Sequence, residues 1–137
     1  AETLMRSRYA AFVKRDVPYL HRTLHPSHDD GEVAFVRFEA SMKKHFASGV
    51  VYQSLSVLGT SPEDEDGVSK VLFVARLAQR GKDRSFAEVS SFARVNGEIR
   101  YLTGITMPIA DVQGLSGETA VREAEARHAA RARTPRG

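Results

Sequence analysis

Apolar side chains recur every three or four positions through the first third of the chain. Leu4, Met5, Tyr9, Phe12 and Val13 predict an amphipathic helix over residues 3–14, with Thr3 as its N-cap. Asp16 offers a second N-cap, Pro18 sits in a tolerated first turn, and Leu20 and Leu24 carry the stripe on until Pro26 stops it. After a polar link at residues 27–32, Phe35, Phe38, Met42 and Phe46 predict a third helix that Gly49 closes.

The period then changes to two. Residues 51–58 and 68–79 read as strands either side of an acidic turn at residues 61–67, and residues 81–84 form the loop to a third strand. Residues 86–95 and 98–105 are joined by Asn96-Gly97, a pair suited to a two-residue turn that needs positive φ at both positions. A tight turn pairs Val95 with Glu98, so Phe92 faces Tyr101, Ser90 faces Thr103 and Glu88 faces Ile105. Glu88, Ser90, Phe92, Tyr101 and Thr103 then share one face. Helices followed by strands, without βαβ alternation, predict an α+β fold with a four-stranded antiparallel sheet.

Beyond Pro108 the pattern weakens. Residues 115–132 are mostly Ala, Glu and Arg with only Leu115 and Val121 as larger apolar groups, which predicts a loosely attached helix or a disordered tail that buries little. The expected organisation is therefore a domain over residues 1–108 and an Ala/Arg-rich tail over 109–137. With 137 residues, 42% hydrophobic and 27% charged, the chain suits one domain. Its longest apolar runs, such as residues 71–75, fall far short of the roughly 20 that a helical membrane span needs. The absence of Cys removes disulfides, Cys-ligated metals and thiol nucleophiles. Ala1 opens directly into the helical pattern with no signal-peptide series before it, so a cytoplasmic protein is the expectation. A net charge of +3 is mild. Arg127, His128, Arg131, Arg133 and Arg136 form a short basic end, read as a solvated terminus; nucleic acid is not an expected partner.

Leu4-Met5-Arg6-Ser7-Arg8-Tyr9, His25-Pro26, Phe73-Val74-Ala75-Arg76 and Glu88-x-Ser90-x-Phe92, followed by Asn96-Gly97, Tyr101 and Gly104, resemble in order and spacing the central domain of the bacterial YchJ-like proteins of unknown function. The resemblance covers roughly residues 1–106. It implies a nuclear transport factor 2-like cone, in which three helices pack on a curved antiparallel sheet. Such proteins commonly carry Cys-rich, zinc-binding SEC-C motifs at one or both ends, which this Cys-free sequence does not contain. An aromatic usual in the last strand is Ile99 here, beside Arg100.

In that fold the first helix faces the concave sheet. Arg6, Arg8 and Tyr9 would then meet Glu88, Ser90, Tyr101 and Thr103, and these seven are the candidate ligand-binding residues. A buried carboxylate needs a partner, so an Arg6–Glu88 or Arg8–Glu88 ion pair is the structural expectation. The catalytic alternative makes Glu88 a general base of raised pKa, by analogy with isomerases and epoxide hydrolases that share the superfold. His21, His25 and His28 lack a third committed ligand and Pro26 breaks their alignment, so no metal or other cofactor is expected. The acidic run from Glu63 to Asp66 does not fit a calcium loop, since position twelve counted from Asp64 is Ala75. Arg76 alternates with Phe73, Ala75 and Leu77 and should face the other side of the sheet. The leading reading is a domain that binds a small ligand or a protein partner through its cone or sheet face, with a possible homodimer through the sheet. An enzyme using Glu88 and a purely structural scaffold are the alternatives. Open or closed by Phe12, Phe73, Phe92 and Tyr101, the cone decides between them.

Overall fold

The computed structural model describes residues 1–133. Three helices, α1 (Glu2–Lys14), α2 (Val17–Arg22) and α3 (Phe35–Ala47), precede the strands β1 (Val50–Ser61), β2 (Val68–Gln79), β3 (Lys82–Asp83), β4 (Phe86–Val95) and β5 (Glu98–Met107). A short 3-10 turn at Ile109–Val112 leads to helix α4 (Ala120–Arg133). The sheet is antiparallel in the order β1-β2-β4-β5, with the two-residue β3 folded back on the end of β2. Among the described residues no helix is long and apolar enough to cross a membrane.

The local signals act as their chemistry requires, with two shifts. Thr3 lies inside α1 and no side chain caps that helix. Arg15 takes a left-handed conformation at its end, and Asp16 caps α2 by accepting from the Tyr19 amide at 3.2 Å. Asp64 binds the Asp66 and Val68 amides, each at 2.9 Å, so the acidic run is a self-capped turn. Asn96 and Gly97 both have positive φ, at 52° and 84°, as the two-residue hairpin demands.

The sheet is covered on both faces, which explains the unbroken run of buried residues from Val71 to Ala75 on its central strand. On the concave side Val71, Phe73, Leu77 and Phe92 pack with Met5 of α1; Ile99 sits at the margin of this cluster. Leu20 and Leu24 of the α2 segment meet Phe38 and Phe46 of α3 behind it. On the convex side Leu72, Val74, Ala87, Val89 and Met107 pack against Val112, Ala120, Val121 and Ala124.

This last contact corrects the expectation for the tail. Residues 109–133 close a core of their own, because small alanines let α4 lie close to the sheet where larger side chains would hold it away. Lys70 and Glu125 pair at 2.8 Å across the seam. The basic end takes part: Arg131 pairs with the buried Asp111 carboxylate, and Arg127 donates to the Asp111 and Gln113 carbonyls at 3.3 and 3.0 Å. Arg136 lies outside the described residues.

Candidate functional site

The concave face of the β4–β5 hairpin carries the polar groups. Its register runs as expected from Val95↔Glu98 to Phe92↔Tyr101, and then a β-bulge shifts it by one residue. Ser91 now pairs with Thr103, Ser90 with Gly104 and Glu88 with Thr106. Thr103 is thereby turned to the convex side and is exposed, so it leaves the candidate set. Gly104 takes its place beneath Glu88. A Cβ there would lie 2.5 Å from both Glu88 Oε2 and the Tyr101 hydroxyl, so any larger residue would displace this pair.

Glu88 is held by hydroxyls. Its Oε2 accepts from Ser90 Oγ and from the Tyr101 hydroxyl at 3.2 Å, while Oε1 has only a long contact of 3.5 Å from Thr106 Oγ1. No ion pair reaches it among the described residues, which corrects the expected Arg–Glu88 bridge. Arg6 turns away and pairs with Glu2 one turn earlier at 2.9 Å, half exposed. Arg8 is 8% exposed and gives its donors to the Leu20 carbonyl, at 2.9 Å, and to Thr23 Oγ1. Its guanidinium lies over the Tyr101 ring, 4.8 Å from the centroid. The two charges are therefore bridged by one tyrosine: Arg8 on its face, Glu88 at its hydroxyl.

Burial dominates the electrostatics. It pushes the Arg8 guanidinium down to about 10, with Tyr101, Tyr19 and Glu88 opposing the change. The Tyr101 phenol is raised well above its ordinary value, first by burial and then by the Glu88 charge. Tyr52 is pushed up to about 12 by burial, and Tyr9 is raised for the same reason.

Between α1, the end of α3 and the sheet lies a cavity of about 290 Å³. Phe12, Phe73, Phe92 and Tyr101 line it without filling it, and Glu88, Ser90, Arg8 and Tyr9 contribute to the same wall. Of the seven residues proposed from sequence, five meet here; Arg6 and Thr103 do not. Sequence reasoning missed Tyr52 and His45, which share a 2.8 Å hydrogen bond at the cavity wall, and Phe86 beside Phe73. Gly104 was discoverable as a lone glycine inside a strand pattern, whereas Tyr52 reaches the concave face only through a register shift between Tyr52 and Ser54 that alternation does not record.

Other clusters serve structure. His21 Nε2 shares a hydrogen bond with the Val33 carbonyl, while His25 and His28 each accept from a backbone amide two residues on. No group of three or more potential metal ligands forms among the described residues. Arg76 points to the exposed side of β2, as its alternation requires.

This arrangement has relatives. A SEC-C motif containing protein from Rhodopseudomonas palustris, solved in solution, is similar at 30% identity over 74% of each chain, with a TM-score of 0.58. A crystal structure of a SEC-C motif containing protein from Psychrobacter arcticus shares the fold at 23% identity, covering 74% of this chain and 56% of that one, with a TM-score of 0.54. The family described as the YchJ middle NTF2-like domain matches residues 1–104, from the start of α1 to Gly104 under Glu88. Three helices on an antiparallel sheet, the two hairpin signals and that match agree, and the chain belongs to the YchJ middle NTF2-like domain family.

Proposed function

We propose that the domain binds a small, largely apolar ligand inside its cone. The observation that carries this reading is the cavity of about 290 Å³, near the lower end of the ~300–1,000 Å³ usual for ligand pockets, with aromatic walls and few polar groups. A core meant only to be stable would close such a space, because each unfilled volume costs packing energy. Two features favour the cone over the sheet as the binding face: α4 occupies the apolar part of the convex surface, and the polar residues converge on the concave one. Binding is also favoured over base catalysis. A ligand donor needs only the lightly engaged Glu88 Oε1, whereas a proton-transfer site would also want a proton donor beside it, and Tyr101 already spends its proton on Glu88 Oε2.

Filling the cavity tests this reading. Ala75 lines it and is 3% exposed, so Ala75→Leu should occupy part of the space. Small aromatic compounds at millimolar concentration should raise the thermal midpoint of the wild-type domain and leave that of the variant unchanged. Equal responses from both proteins, or none from either, would count against a cone-bound ligand.

A further inference from the structure

We infer that the ligand of the cone carries an ammonium group, held by Glu88 and the aromatic rings around it; this rests on the cone being a ligand site. Glu88 is a carboxylate set into an apolar wall with no cation in contact among the described residues. Glu88 is half-buried, and a carboxylate drawn partly out of water is stabilised by a cation, yet the side chain that could have supplied one is committed elsewhere. Arg8 gives its donors to Leu20 and Thr23 and rests on the face of Tyr101, whereas Glu88 meets the hydroxyl at the rim of that ring. Ser90 and Tyr101 supply neutral donors to Oε2, leaving Oε1 with only the 3.5 Å contact from Thr106. An acceptor with charge and without a strong donor is what an incoming N–H donor would complete.

The walls select the same chemistry. Tyr9, Phe12, Tyr52, Phe73, Phe86 and Phe92 surround the space, and the faces of such rings attract a cation once water is excluded. Arg8 opposes a second positive charge, but Coulomb energy falls with distance, and a group touching Glu88 is nearer to the carboxylate than to a guanidinium lying over the Tyr101 ring. The volume limits the rest of the molecule to about a ring with a short arm. The ligand class is thus a compact aryl or alkyl amine.

A matched pair of probes tests this. 2-Phenylethylamine and 2-phenylethanol have nearly the same shape and differ in charge at neutral pH. Titrated into the wild-type chain, the amine should bind about tenfold or more tightly than the alcohol. Glu88→Gln keeps acceptors for Ser90 and Tyr101, so it should fold, and it should bring the amine down to the affinity of the alcohol. Binding of the alcohol as tight as the amine in the wild type, or an amine preference unchanged by Glu88→Gln, would overturn the inference while leaving the cone a ligand site. If neither probe binds, both the inference and the cone reading fail.

Discussion

At the scale of single residues the site depends on two small ones that set the place of the Glu88 carboxylate. Gly104 gives Glu88 and Tyr101 room to meet, and Ser90, at 1% exposure, fixes the carboxylate from the same strand. Gly104→Ala places a methyl against the Glu88 carboxyl and the Tyr101 hydroxyl, which must move aside. It should cost about 1–3 kcal/mol, read as a lower denaturation midpoint, and should part Tyr101 from Glu88; a neutral effect would contradict the close approach. Alkaline titration reads the buried tyrosines. Tyr52, raised to about 12 by burial, and Tyr9 and Tyr101, raised in the same direction, return to their ordinary 10.0 on unfolding, so the unfolded chain loses its phenolic protons first. The stability they contribute is complete below pH 10 and is lost as pH rises from there toward 12. Arg8 works oppositely, since its folded value of about 10 lies below that of a free guanidinium and the unfolded chain regains that proton. Three phenols outweigh one guanidinium. Urea midpoints should fall between about pH 9 and 11.5, and a flat or rising profile would show that the phenols are not buried as described.

At the scale of elements, the decisive features are a bulge and a terminal helix. The Asn96-Gly97 turn specified the first pairs of the hairpin, yet one extra residue at the bulge between Tyr101 and Thr103 reversed the faces of everything beyond it. Thr103 was lost from the site for that reason, and the one local mark of a bulge is the lone Gly104 beside it in the strand pattern. Helix α4 was visible as a helix and misjudged as a loose one. Its apolar side consists largely of alanines, whose fit against Leu72, Val89 and Met107 is a tertiary fact that periodicity does not record. Ala124 is fully buried in that seam. Ala124→Asp would leave an unpaired charge against the sheet, at a cost of about 3 kcal/mol or more. Limited proteolysis should then cleave α4 more readily than in the wild type; resistance equal to the wild type would mean that the helix is not held there.

For the whole molecule, the sequence was most informative where chemistry and period agreed: three helices before the strands, the acidic turn and the first pairs of the last hairpin. It was least informative where partners lie far apart in the chain. Arg8 illustrates this, since its donors went to Leu20 and Thr23, and Tyr101 stands where a direct contact with Glu88 was expected. The resulting architecture covers the convex face with the chain's own α4 and leaves a cavity on the concave one, and the ligand site we propose in the cone rests on that arrangement of layers as much as on any residue. The most direct test is to titrate the isotopically labelled chain with a small aromatic compound and follow its backbone amides by NMR. Saturable shifts concentrated at Arg8, Ser90, Phe92 and Tyr101, with Val121 and Ala124 unmoved, are the predicted result. An absence of saturable shifts, or shifts confined to α4 and the convex strands, would contradict it.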